Sequence, residues 1–150
     1  MRVTPVAIGE DDATIADTDW LYRRIPPSQM PYDGNRGRRW PSSAALLPSS
    51  GDTEVSAYLG SELEILGLTA DDVLQEHEGF GLIRFPARAV RQVGLGVKRD
   101  PVRDAERPLV CDPAHAAITG TPMTSKAKRG PARKLLGSDL VEVLREPVGT

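Results

Sequence analysis

Apolar and polar residues alternate first at Asp19–Ile25, where Trp20, Tyr22 and Arg24 interleave with Leu21, Arg23 and Ile25. Period two with aromatic and branched side chains predicts a β-strand. Pro26-Pro27 ends it, because proline has no N–H to give a ladder. Val55, Tyr58, Leu59, Leu63 and Leu66 then recur at helical spacing, with Glu54, Glu62 and Glu64 away from that stripe. The spacing predicts a helix over 54–66, closed by Gly67. Thr69 followed by Asp72 reads as a capping box opening a second short helix. Phe80–Phe85 is a compact apolar run, and a strand is expected there up to Pro86. Ala87–Val93 suggests one or two helical turns, and Leu95–Lys98, His115–Thr119 and Leu140–Leu144 suggest short strands. Ser42–Leu47 is a further strand candidate. Ser125–Leu136 has helical character, but Gly130-Pro131 inside it should kink or divide it.

Between these elements lie segments without periodicity. Residues 1–18 are polar around Gly9-Glu10-Asp11-Asp12 and read as a flexible N-terminal arm. Residues 26–41 read as a long loop with turns at Asp33-Gly34 and Arg36-Gly37, and 100–113 as a charged, proline-punctuated connection. Short strands and helices interleave without regular βαβ spacing. The expectation is therefore α+β: a small single domain over 19–146, with a short-stranded sheet and two to four short helices.

Composition supports a folded chain with an aliphatic core. Leu, Ile, Val and Phe make up 35 of 150 residues, above the level of about 20% at which chains fail to bury enough surface to fold. Fourteen glycines and 13 prolines imply many loops. No apolar run reaches the roughly 20 residues of a membrane span, so no membrane partner is expected. The first residues do not read as a secretory signal, and Cys111 is the sole cysteine, which points to the cytoplasm. Arg outnumbers Lys 15 to 4, a bias of GC-rich bacterial genomes.

The net charge of −2 hides segregation. Residues 52–78 hold eight acids and no Lys or Arg, whereas 79–134 hold twelve bases against four acids. Five of the basic residues fall in 126–134 without interleaved aromatics, so phosphate contact is all that segment offers a nucleic acid. Such an interface would need Arg84, Arg88, Lys126, Arg129 and Arg133 on one face. One Cys and two His cannot supply a common structural zinc set, and no metal site is expected. Gly79-x-Gly81 and Gly94-x-Gly96 lack the third glycine of a dinucleotide loop.

Candidate chemistry concentrates in two places. Arg23, Arg24 and Arg39, with Ser42 and Ser43 after a glycine-containing turn, have the planar donors and hydroxyls that suit phosphate or carboxylate. His115, on a short strand ahead of the basic segment, is a second candidate anion contact. No catalytic set is complete on these residues. The first reading is a non-enzymatic accessory domain without a cofactor, binding a protein partner through the 26–41 loop and its charged faces.

Leu21-Tyr22-Arg23-Arg24-Ile25, the loop ending in Arg39-Trp40, and Ser42-Ser43-Ala44 resemble the opening of RES-type domains over residues 19–60. Those domains are similar in fold to ADP-ribosyltransferases. The resemblance implies an alternative function, an enzyme that transfers ADP-ribose from NAD or hydrolyses it. Arg23 or Arg24 would then bind the NAD phosphates, Ser42 and Ser43 would open the next strand, and Glu142 would be the catalytic carboxylate. Such a site requires these residues to converge in one cleft.

Overall fold

The computed structural model describes residues 10–124 and 126–149. The alternating segment is strand β1, Trp20–Ile25, and every position of it pairs antiparallel with β5, Gly81–Pro86, from Trp20↔Pro86 to Ile25↔Gly81. On its other side β1 meets β4, Val55–Leu59. Strand β4 pairs with β7, His115–Thr119, which pairs with β6, Gly96–Arg99, while β8, Glu142–Arg145, borders β5. The result is an antiparallel six-stranded sheet of order β6-β7-β4-β1-β5-β8. With its short helices it is an α+β fold, as the interleaved pattern indicates. Among the described residues no helix is long and apolar enough to cross a membrane.

Each face of the sheet carries its own apolar cluster. Leu21, Ile25, Val55, Ala57, Leu59, Ile83 and Phe85 point to the larger one. Helices α2, Ala87–Gln92, and α3, Gly130–Leu136, cover it with Val90, Leu135 and Leu136. Tyr58 and Leu82 point to the smaller cluster, completed by Val73, Leu74 and Leu63 of helix α1, Gly60–Ile65. Fully burying an aliphatic side chain of this size contributes about 1.5–3 kcal/mol. The two clusters therefore hold the sheet from both sides.

The helix expected over 54–66 is half strand. Val55, Ala57 and Leu59 satisfy period two, while Val55 and Leu59 also fit the helical stripe, and pairing with β7 and β1 on either side decides between them. The change comes at Gly60, where a Cβ would stand 3.1 Å from the Trp20 Cβ. Ser42–Leu47 is a 3-10 turn over Ser43–Leu46 rather than a strand. Pro41 and Pro48 bracket it and deny it a ladder. In α3, Pro131 sits in the first turn, where its missing N–H has no partner to lose. The proline starts this helix; it does not kink one.

Residues 26–41 are less of a loop than their composition suggests. A 3-10 turn at Pro27–Gln29 leads into a two-residue hairpin of β2, Tyr32–Asp33, and β3, Arg38–Arg39. Arg39 fastens it by donating to the carbonyls of Met30 at 2.6 Å, Pro27 at 2.8 Å, Pro147 and Gly149. Of the expected N-terminal arm, residues 1–9 lie outside the described residues, and 10–18 are packed on the domain. Ile15 is buried in the larger cluster, the Asp12 N–H donates to the Val97 carbonyl at 2.8 Å, and Arg91 donates to Asp11, Asp12, Ile15 and Asp17. The acids that suggested a solvated arm are partners of Arg91 and Arg99.

Candidate functional site

Strands β1 and β4 are registered only at Leu21↔Leu59 and Tyr22↔Tyr58. Beyond that point β1 follows β5 and β4 follows β7, so the sheet splits. Arg23 fills the split. Its Nε donates to the Ala45 carbonyl and its Nη1 to the Ser56 carbonyl, both at 2.6 Å. Its neighbour Arg24 projects from the opposite face, donates from Nη1 to the Val73 carbonyl at 3.0 Å, and stands 5.2 Å from the Tyr58 ring centre.

Neither arginine has a carboxylate partner among the described residues. Desolvation, and then the charge of Arg24, push the Arg23 guanidinium down to about 10, so it stays charged at neutral pH in an electropositive pocket. Burial pushes the Tyr58 phenol up to about 12, leaving it a neutral hydroxyl there. A cleft of about 240 Å³ opens at the split, lined by Arg23, Arg24, Gln29, Ser56, Tyr58 and Phe80.

A second hollow of about 350 Å³ adjoins it through Ser56 and is bordered by His115 and Asp100. Ser56 is the exposed residue of an otherwise buried strand. It pairs with Ala117, so His115, two residues earlier on β7, lies diagonally beside it on the same face. The His115 Nε2 is 3.0 Å from the Ser56 Oγ, and its Nδ1 is 2.8 Å from the Asp100 carbonyl oxygen and 3.4 Å from the Asp100 carboxylate. A carbonyl can only accept, so Nδ1 carries the proton and Nε2 of the neutral ring accepts from the serine hydroxyl. Tyr58 packs edge-on against the imidazole, with 5.4 Å between ring centres, and fixes its orientation. A third hollow, of about 420 Å³, continues past His115 toward Arg99 and Arg103.

The anion candidates read from the sequence are thus divided. Arg23 and Arg24 line the cleft, and His115 joins it through Ser56. Ser42 stands behind it, its hydroxyl and N–H both donating to the Gln29 carbonyl. Ser43 accepts from Arg129 at 2.7 Å, outside the cleft. Arg39 is fully engaged inside the molecule by the carbonyls named above, so it offers a ligand little.

Glu142 does not converge with them. Register runs Glu142↔Arg84↔Tyr22↔Tyr58↔His115 across five strands, which puts Glu142 roughly 19 Å from His115 at the usual strand spacing. There it is ion-paired with Arg84 at 2.5 Å, and Arg84 also stacks on Trp20. The catalytic position that the resemblance gives this glutamate therefore lies outside the cleft. The basic residues considered for nucleic acid are divided too. Arg84 belongs to the smaller-cluster face, whereas α3 with Arg133 covers the other.

No group of three metal-ligating side chains occurs among the described residues. Burial raises the pKa of Cys111, a buried thiol beside Tyr58, which disfavours a reactive thiolate. Sequence reading passed over Ser56 and Asp100. The one available signal for Ser56 was a small polar residue amid Val55, Ala57, Tyr58 and Leu59, and it was masked by the helical stripe. In comparison with known proteins, the chain matches no family model, no curated protein and no solved structure.

Proposed function

We propose that this protein binds a small phosphate-bearing molecule in the cleft where β1 and β4 separate. The carrying observation is the pair Arg23 and Arg24, adjacent in sequence, half-buried, and lining one cleft from opposite faces of the sheet without a carboxylate to neutralise either. Two guanidinium groups in that setting repel each other and gain most from a shared anion. Backbone carbonyls hold part of each fork and fix its direction, which leaves the remaining N–H groups for an incoming oxyanion.

A cleft of about 240 Å³ is below the 300–1,000 Å³ usual for whole drug-sized ligands. It suits one phosphate-bearing moiety, with the rest of the molecule extending along the hollows toward Ser56 and His115. Tyr58 and Phe80 supply apolar surface for a ring or sugar. A nucleotide satisfies these demands, and NAD is among those to test. In this reading Glu142 takes no part, and a protein partner is not required.

Thermal unfolding tests it with ADP, with NAD and with adenosine as the neutral control. Ligand at about 100 times its dissociation constant adds roughly 2.7 kcal/mol, or about 5–10 °C for a domain of this size. Stabilisation by a phosphate-bearing nucleotide but not by adenosine, and its loss in Arg24→Met, is the expected result. Equal shifts with adenosine, or an undiminished shift in Arg24→Met, would refute the proposal.

A further inference from the structure

We infer that Ser56 is a nucleophile activated by His115, and that the groove around them cleaves an ester or thioester carrying an anionic group. The anionic group rests on the cleft reading above; the nucleophile rests on its own geometry. Ser56 Oγ is exposed on a central strand, 3.0 Å from an imidazole nitrogen that accepts when the ring carries its single proton on Nδ1. That imidazole is held on its other side by Asp100 and on its flank by Tyr58. This is the spatial logic of nucleophile, base and orienting group, assembled from three strand ends instead of a motif. The hydroxyl lies where the Arg cleft and the His115 hollow meet, so a substrate anchored at Arg23 and Arg24 presents its neighbouring atoms to it.

The reaction balances with water as the only co-reactant. Ser56 Oγ attacks the acyl carbon while its proton passes to His115 Nε2. Collapse of the tetrahedral species breaks the bond to the leaving alcohol or thiol, which takes that proton. Water then attacks the acyl-serine, giving its proton to His115, and Ser56 departs with it; the products are a carboxylic acid and an alcohol or thiol. Arg23 donates to the Ser56 carbonyl, which fixes the backbone that carries the nucleophile.

Substrate class follows from how His115 is supported. Its 2.8 Å partner is a neutral carbonyl, and the Asp100 carboxylate is 3.4 Å away and half exposed. Support of that kind stabilises an imidazolium less than a buried carboxylate would, so acyl groups with good leaving groups are favoured over amides.

A fluorophosphonate probe, which phosphonylates activated serines, tests the inference through intact mass and peptide mapping. The expected result is one adduct, on Ser56, absent in Ser56→Ala, slowed at least about 100-fold in His115→Gln, and retarded by millimolar inorganic phosphate. Ser56→Ala replaces an exposed side chain and keeps the fold, which thermal unfolding verifies. Stabilisation of the wild-type protein by phosphate without an adduct on Ser56 would overturn the nucleophile and leave the anion cleft standing. An adduct on Ser56 that phosphate neither retards nor accompanies with stabilisation would overturn the anionic substrate class. An adduct formed as fast in His115→Gln would overturn activation by His115.

Discussion

Arg23 donates through Nη1 to the backbone carbonyl of Ser56 at 2.6 Å, across the gap that β1 and β4 leave when they separate. A side chain thereby takes the place of a ladder bond, and the strand carrying Ser56 is held at the lip of a cleft. The same guanidinium holds the Ala45 carbonyl, so one residue ties the 3-10 turn at 43–46 to the sheet.

Arg23→Met keeps much of the packed stem and removes both donors. Two carbonyls lose a charged partner, a change costing about 1–3 kcal/mol for each that stays buried. Urea unfolding should show a lower midpoint with an unchanged slope. A midpoint equal to the wild type's would mean that the split is held by its apolar walls alone.

Gly96 begins β6 directly beneath the segment at 10–12. A Cβ there would collide with the Glu10 carbonyl oxygen and stand 2.8 Å from the Thr119 hydroxyl, which itself donates to that carbonyl at 2.5 Å. Backbone cannot yield cheaply, so Gly96→Ala should cost roughly 1–3 kcal/mol. Hydrogen exchange should quicken at Asp12 and Ile15 before it does in β1. Unaltered exchange at those amides would show that the segment is not held by this contact.

Arg39 donates to four carbonyls, two at the start of the 26–41 segment and two at residues 147 and 149. A lysine has the charge but not the planar fork. Arg39→Lys should therefore destabilise almost as much as Arg39→Ala, by about 2–3 kcal/mol, and loosen residues 27–40 toward protease. Full rescue by lysine would indicate that charge, not donor geometry, is what matters at this position.

Tyr58 gives the alkaline stability a definite sign. Its phenol ionises near 10 in an unfolded chain, and burial, the largest cause, raises it to about 12 in the folded protein. Between those values the unfolded chain has released a proton that the folded one retains, so rising pH favours unfolding. The stability of wild type relative to Tyr58→Phe should fall on the order of 2 kcal/mol from pH 10 to 12. Arg23 titrates near the lower end of this range and is electrostatically coupled to Tyr58, so the difference reads the phenol together with its effect on that guanidinium. A flat difference would mean that the phenol is not desolvated.

Much of the sheet was legible because its signals are local. Pro26 and Pro86 punctuate β1 and β5, period two marks Trp20–Ile25, and Thr69 with Asp72 forms the reciprocal cap. What was not legible depends on partners distant in the chain. Val55–Leu59 fits either period, and pairing with β1, more than 30 residues earlier, and with β7, some 60 residues later, makes it a strand. Arg39 resembles a ligand-seeking arginine until the carbonyls of Pro27, Met30, Pro147 and Gly149 surround it.

The candidate site shows the same division. Arg23, Arg24 and His115 announce themselves by residue type. Ser56 becomes a candidate only when the register of β4 on β7 sets it beside His115, and Glu142 is separated from the cleft only when β8 takes an edge of the sheet and pairs it with Arg84.

The most direct test of the anion cleft is a nuclear magnetic resonance titration with inorganic phosphate that follows the arginine Nε–H and histidine ring signals. Arg23 and Arg24 should show saturable, concerted shifts, with His115 moving less, and the Arg23 shift should be lost in Arg24→Met. Shifts confined to the exposed bases of 126–134, with Arg23 and Arg24 unmoved, would contradict the anion cleft.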